Sequence, residues 1–250
     1  MIRLDIILAI IFGLVFGSFL SVIVFRLDAK EGIVTGRSEC RRCLKRLKWY
    51  DLVPLLSFLY LKGKCRYCKV KIGVIYPIME LAVAATFVSY CSLNGPCVYI
   101  SSFYHLSILF TLLALLFFDY SFYILPDKLI GTGFIISLLY FLLFNPDLLN
   151  NSLIIGLALG SFFAILYLAS KGKWLGFGDA KLAFLVGFVL GYPAGVFAVM
   201  ASVWAGALWG IGLILLNRAN LKTPLPFGSF MAGATILFII FQNYEIWFRF

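Results

Sequence analysis

Two aspartates stand at the edges of apolar stretches. Asp119 ends one such stretch, and Asp179 follows Gly176-Phe177-Gly178 at the start of another. An ionisable group beside hydrocarbon is costly to keep and therefore marks a candidate functional site. Two close carboxyl groups share one proton, so that one can activate water while the other donates a proton. We predict that Asp119 and Asp179 meet and form such an acid–base pair.

The ends of the flanking helices suggest how the pair divides its roles. Asp119 is expected at the negative C-terminal end of one helix and Asp179 at the positive N-terminal end of another. This predicts an ionised Asp179 as the general base and a protonated Asp119 as the acid. Gly176 and Gly178 allow the backbone to approach a substrate or a facing helix closely. A structural alternative stays open, in which Asp179 only caps its helix.

Three further polar residues have other expected roles. Asp127, which follows Pro126, is expected to cap the next helix. His105, the single histidine, precedes Asp119 by fourteen residues, or about 21 Å along one helix, which is too far for a catalytic partner. Glu80 lies inside an apolar run and is expected to pair with a basic residue or to line a polar cavity.

Four of the six cysteines have the spacing of a metal site. Two Cys-x-x-Cys pairs, with 21 residues between them, predict a closed, structural four-sulfur zinc site formed by Cys40, Cys43, Cys65 and Cys68. Two disulfides or four reduced thiols are the alternatives. The remaining pair, Cys91 and Cys97, lacks this spacing, and both a disulfide and two free thiols stay open.

The composition shows what kind of elements must position these residues. The 250-residue chain is 63% hydrophobic and only 13% charged, and its mean hydropathy is +1.02. A soluble fold could not bury that much apolar surface, so we predict an all-α polytopic membrane protein. Eight apolar runs predict about eight transmembrane helices, at residues 4–25, 74–91, 98–118, 129–144, 153–170, 180–192, 194–216 and 228–241. The run at 180–192 is short enough to be a re-entrant segment instead.

The charges predict the orientation in the membrane. The net charge is +10, and 13 of the 21 Lys and Arg residues fall between Arg26 and Lys71. Such a basic loop is typical of the cytosolic side and of contact with anionic lipids, and it does not indicate nucleic-acid binding. With this loop inside, eight spans place both termini outside and both aspartates at the cytosolic face. The predicted domains are a first span (1–25), a cytosolic zinc domain (26–73) and a seven-span domain (74–250).

Several motifs together resemble the bacterial type IV prepilin peptidase family, whose members are prepilin leader peptidase/N-methyltransferases. The resemblance covers nearly the whole chain, and its motifs are the two cysteine pairs, Gly17-Ser18-Phe19-Leu20-Ser21, Trp49-Tyr50-Asp51-Leu52-Val53-Pro54, Tyr76-Pro77-Ile78-Met79-Glu80, Asp119 with Pro126-Asp127, Gly176-Phe177-Gly178-Asp179, and Pro226-Phe227-Gly228.

The resemblance implies a specific activity. It implies an aspartic endopeptidase of the bacterial inner membrane that cleaves the basic leader of type IV prepilins or type II secretion pseudopilins after a glycine. Asp119 and Asp179 would be its catalytic residues and would act without a metal. It also implies N-methylation of the new N-terminus with S-adenosylmethionine, associated in the family with a Gly-Lys pair that matches Gly63 and Lys64.

Two departures from the family pattern concern the methylation half of the chain. Ser21 stands in place of the usual Asn, and Arg41 and Arg42 replace the usual Pro-containing residues. A peptidase with a purely structural four-cysteine domain is therefore the first alternative. A proton-coupled transporter that uses the same acids, and a zinc-stapled assembly platform, are the others.

Overall fold

The computed structural model describes residues 4–28, 38–218, 220 and 223–241. These residues form helices and turns. The described ranges contain two isolated β-bridges but no β-strand. The chain divides into two compact units, residues 1–97 and 98–250. The termini, for which an outside location is predicted, fall outside the described residues.

The first unit is built on two long apolar helices, α1 (Leu4–Asp28) and α3 (Ile75–Asn94), with the short α2 (Leu56–Tyr60) between them in sequence. Small residues of α1 allow the two long helices to touch. A methyl group on Gly13 would lie 2.5 Å from Ala84 Cα, and one on Gly17 would lie 2.5 Å from Glu80 Cα. A disulfide joins Cys91, in the last turn of α3, to Cys97, which follows the helix.

The described part of the second unit contains six helices, which are α4 (Ile100–Phe122), α5 (Asp127–Phe144), α6 (Pro146–Ser170), α7 (Phe177–Leu190), α8 (Ala194–Leu215) and α9 (Phe227–Ile240). The short α7 lies at the centre. Its Leu182, Leu185 and Val186 belong to one buried cluster that also takes side chains from the other five helices. Backbone of α7 touches backbone of α6, since a methyl group on Gly187 would lie 2.7 Å from Ile155 O.

Lengths and exposure of the helices confirm a multi-pass membrane protein. Six described helices are long and apolar enough to span a bilayer, namely α1, α3, α4, α5, α6 and α8. Their outward surface is apolar; Trp204 and Leu208 of α8, for example, are each 67% exposed. Two shorter helices of the second unit, α7 and α9, have 14 residues each, or about 21 Å against a hydrocarbon core of about 30 Å.

All eight predicted runs are helical, but several helices extend past them. The loop expected at 119–128 shrinks to four residues, because α4 continues to Phe122 and α5 begins at Asp127. Tyr123 ends α4 in a left-handed conformation and donates its amide to Asp119 O. Likewise, α6 begins at Pro146, a favourable first helical residue. Hydropathy ends a run at the first polar residue, whereas a helix continues until its cap.

Candidate active site

Asp119 is buried in the last turn of α4, where it is 5% exposed. Its carboxyl group meets the first turn of α9. The amide of Ser229 donates to Asp119 Oδ2 at 2.6 Å, and the Ser229 hydroxyl lies 2.9 Å from the same oxygen. Sequence reasoning missed Ser229, although it directly follows the quoted Pro226-Phe227-Gly228 motif.

Asp179 is half-buried in the first turn of α7. Its Oδ2 accepts a hydrogen bond of 3.0 Å from the amide of Gly176, so it does stabilise the start of its own helix. The same carboxyl group lies close enough to Asp119 for their charges to interact. Capping and a charge interaction with Asp119 are therefore compatible.

Three helix ends, those of α4, α7 and α9, bear on the charges of the two aspartates. Asp119 lies at the C-terminal end of α4 and Asp179 at the N-terminal end of α7, as predicted. Asp119 also accepts hydrogen bonds from the N-terminal turn of α9, whose dipole favours a negative charge. Both carboxyl groups thus face a helix N-terminus, and helix ends alone do not assign the base and the acid.

Two glycines allow the elements around the pair to touch. A methyl group on Gly228 would lie 3.1 Å from Asp119 Cγ and 2.9 Å from Leu125 Cδ1. One on Gly178 would lie 3.1 Å from Leu125 Cβ. Leu125, from the short loop between α4 and α5, therefore fills the space between the first turns of α7 and α9. Gly176 adjoins the pair differently, through the amide that it donates to Asp179.

Asp127 does not cap α5, contrary to the prediction. Pro126 is the residue before the helix, and Asp127 is the first helical residue, where its charge still favours the helix N-terminus. Its Oδ1 instead accepts a hydrogen bond of 2.6 Å from Lys181 Nζ in an exposed ion pair. A lysine two residues after Asp179 offered a signal for this contact, but nothing in the sequence placed it next to Asp127.

The two remaining polar residues each have a backbone partner. Glu80 is buried in α3, and its Oε2 accepts a hydrogen bond of 2.8 Å from the amide of Leu55. Glu80 therefore has a backbone amide as its partner in place of the expected basic side chain. His105 Nδ1 lies 2.7 Å from Ser101 O, one turn earlier on α4, and its ring contacts Tyr104.

The four predicted zinc ligands form one cluster. Their sulfur atoms all lie within 4.8 Å of one another, and Cys40 Sγ lies 3.8 Å from Cys68 Sγ. Four sulfurs at about 2.3 Å from a tetrahedral zinc ion would be about 3.8 Å apart. Neither of the alternative Cys-x-x-Cys disulfides is present, since all four cysteines are unbridged.

The two cysteine turns have the same backbone structure. In the first, the amide of Cys40 donates to Lys45 O and the amide of Leu44 to Cys40 O. The second repeats both bonds 25 residues later, from Cys65 to Val70 O and from Lys69 to Cys65 O. Leu44 and Lys69, each directly after the second cysteine, have positive φ angles of 55° and 57°.

The cysteine thiols of the cluster differ in their pKa values. A hydrogen bond from the backbone of Cys43 is the main cause that lowers the pKa of Cys40 to about 6. At Cys68, a backbone hydrogen bond from Val70 is outweighed by burial and by the neighbouring sulfurs, which together raise its pKa to about 11. Four sulfurs this close do not all ionise together in the absence of a cation.

An ion pair that the sequence reasoning missed supports the second cysteine turn. Arg66 Nε donates to Asp51 Oδ1 at 2.7 Å, and its guanidinium stacks over Tyr50 at 4.9 Å. This hydrogen bond to Asp51 raises the pKa of Arg66, which stays charged. In the sequence, Asp51 stands out only as part of a family motif, and Arg66 is marked only by its position between two cysteines.

Comparison with known proteins assigns the family. Residues 11–94 match the bacterial peptidase A24 N-terminal domain, and residues 106–211 match the type IV leader peptidase family. A Bacillus subtilis (strain 168) protein named prepilin leader peptidase/N-methyltransferase is 31% identical, with 93% of each chain covered. The chain belongs to this peptidase family. An Aeromonas salmonicida (strain A449) relative of the same name is 30% identical, covering 91% of this chain and 87% of the relative. No solved structure matches the chain significantly.

Membership confirms the resemblance and the expected class of enzyme, a peptidase with methyltransferase activity. Residues that depart from the family pattern have local contacts in this chain. The Ser21 hydroxyl donates to Ser18 O within α1, and the Arg41 guanidinium lies 4.7 Å from the Phe25 ring centre. Gly63 has a φ of 65° and accepts a hydrogen bond from the amide of Ile72, so Gly63 and Lys64 directly flank the second cysteine turn.

Proposed function

We propose that this enzyme cleaves the basic leader of type IV prepilins or type II secretion pseudopilins, with Asp119 and Asp179 activating water. The observation that carries the proposal is the meeting of three helix ends at the two carboxyl groups. In the described part of the chain, the protein donors reach Oδ2 of each aspartate. Oδ1 of each carboxyl group then serves the shared proton and the attacking water.

The proposed reaction is general acid–base hydrolysis. The ionised carboxylate takes a proton from water as the water oxygen bonds to the scissile carbonyl carbon, while the protonated carboxyl donates its proton to the carbonyl oxygen. Collapse of the tetrahedral intermediate breaks the C–N bond, as the pair gives one proton to the leaving nitrogen and takes one back from a hydroxyl of the intermediate. Each turnover restores one shared proton, and no step needs a catalytic metal.

Substitutions that replace each carboxyl group by a neutral amide test the pair. Asp119→Asn and Asp179→Asn keep the size of the side chain, so we expect the purified variants to fold but to lose cleavage of a prepilin-like membrane peptide. Asp127→Asn is the matched control, because Asp127 lies in the same region but in an exposed ion pair. Cleavage by either of the first two variants at the wild-type rate would refute the pair. Proton flux into proteoliposomes without cleavage would favour the transporter instead.

For methylation, we propose that S-adenosylmethionine is the donor and that Cys40, Cys43, Cys65 and Cys68 hold a structural zinc ion. The cluster fits zinc, because its sulfurs approach the spacing of a tetrahedral site. A bound zinc ion would cross-link the two cysteine turns, and Gly63 and Lys64 would serve methylation by shaping the second turn. Labelled S-adenosylmethionine added to the cleavage assay tests this, with metal content measured in parallel. Cleavage without label incorporation would leave a peptidase whose four-cysteine domain is purely structural.

For location, we propose the bacterial cytoplasmic membrane, with the active site at the cytosolic face, both termini outside and anionic lipids at the basic segment. Residues 38–73 carry ten Lys or Arg against two acidic residues, which suits an anionic surface. We expect no nucleic-acid binding. Membrane-impermeant thiol labelling of Cys68 in spheroplasts and in inverted vesicles tests the orientation after metal chelation; labelling in spheroplasts alone would refute it.

A further inference from the structure

We propose that Ser229 is a positioning residue, which holds Asp119 by its amide and hydroxyl and thereby keeps the shared proton of the pair on Oδ1. This inference rests on the proposed peptidase reaction and adds a third residue to its site. Ser229 lies in the first turn of α9, 110 residues away from Asp119 in sequence.

The donors of Ser229 fix the role of Asp119 Oδ2. The amide lies 2.6 Å from Oδ2 and 3.2 Å from Pro226 O, so the carboxyl oxygen is its nearer acceptor. An amide can only donate, and Oδ2 must therefore accept. A proton on Asp119 then resides on Oδ1, where it can reach Asp179 or water.

The hydroxyl adds a second contact that links α9 to α4. Ser229 Oγ lies 2.9 Å from Asp119 Oδ2 and 3.0 Å from Leu116 O, both in the last part of α4. It has one hydrogen to share between these two acceptors. Hydrogen bonds to a carboxylate stabilise its charged form and fix its rotamer, so loss of the hydroxyl should affect chemistry more than substrate binding.

Gly228 makes this contact possible. Because position 228 has no side chain, the first turn of α9 approaches within hydrogen-bond distance of a buried carboxyl group. The same contacts could merely fasten two helices. The test therefore needs readouts that a purely structural contact would not change.

The experiment compares Ser229→Ala with Ser229→Thr, which keeps the hydroxyl, and with Thr235→Val. Thr235 is the matched control, because its buried hydroxyl donates to Met231 O within the same helix and away from the aspartates. For Ser229→Ala we expect kcat to fall about tenfold with KM unchanged, and the acidic limb of the pH profile to move to higher pH. Ser229→Thr should restore most of kcat, and Thr235→Val should leave kcat and the profile unchanged.

Each outcome decides one question. Wild-type kcat and pH profile in Ser229→Ala would overturn the positioning role, and so would equal losses of activity and thermal stability in Ser229→Ala and Thr235→Val. If the wild-type enzyme cleaves no prepilin-like peptide, the proposed function fails before Ser229 is tested. If the wild-type enzyme cleaves the peptide and Ser229→Ala leaves kcat and the pH profile unchanged, only the inference about Ser229 fails.

Discussion

Replacing Gly228 with alanine tests how tightly the aspartate site is packed. The added methyl group would lie 2.9 Å from Leu125 Cδ1 and 3.1 Å from Asp119 Cγ. Carbon atoms prefer about 3.5–4.0 Å, so each neighbour must retreat by roughly 0.5 Å. The end of the Leu125 side chain can turn away, but the Asp119 carboxyl is held on the side of the clash by Ser229.

The expected damage follows from that displacement. A carboxyl group moved away from α9 by about 0.5 Å stretches the Ser229 contacts from 2.6 and 2.9 Å to roughly 3.1 and 3.4 Å, and the second exceeds the usual O–H···O range. Misplacement by about 1 Å can cost about a hundredfold in rate, so we expect kcat to fall about tenfold. Overpacking should also lower the free energy of unfolding by about 1–3 kcal/mol.

The assay measures cleavage kinetics and thermal unfolding of the purified enzyme in detergent. Gly233→Ala is the matched control in the same helix, since its methyl group would lie 3.7 Å from Leu116 Cδ1, an ordinary contact. An active Gly228→Ala variant with normal stability would refute this account of the packing. Equal losses in both variants would show that α9 is sensitive to any added methyl group.

Substitutions at three further positions probe other contacts. Lys181→Met breaks an exposed ion pair with Asp127 and should change the unfolding free energy by no more than about 1 kcal/mol in a thermal or denaturant melt; a larger change would mean that the pair also fixes α7. Glu80→Ala leaves the Leu55 amide without its acceptor and should cost about 1–3 kcal/mol, whereas Glu80→Gln keeps an acceptor and should cost less. Cys68→Ser should abolish metal retention and methylation while cleavage persists, as metal analysis and the two assays would show; loss of cleavage would mean that the peptidase reaction also needs the cysteine cluster.

The sequence predicted the elements of the site better than their contacts. Apolar runs located the eight long or short apolar helices, because hydropathy is a local property of the chain. Spacing and boundary position selected Asp119 and Asp179 for the same reason. The contact of Ser229 with Asp119 joins residues 110 positions apart, and no local pattern encodes it. For Asp127 the local pattern predicted a helix cap, and this was wrong, because its carboxylate forms an ion pair with Lys181, 54 residues away.

The two cysteine turns show what a spacing motif leaves undetermined. Cys-x-x-Cys pairs predict four ligands, but not that both turns adopt one hydrogen-bonding pattern and direct four sulfurs into a single cluster. Leu44 and Lys69 occupy the left-handed region, where a residue other than glycine costs roughly 1–2 kcal/mol. Neither side chain offers the local hydrogen bond that makes asparagine tolerable there. Binding of structural zinc contributes about 10–16 kcal/mol in small domains, several times the combined cost of the two turns. The proposed zinc ion would therefore offset the cost of both turns at once, and on that proposal chelation should relax the two turns together.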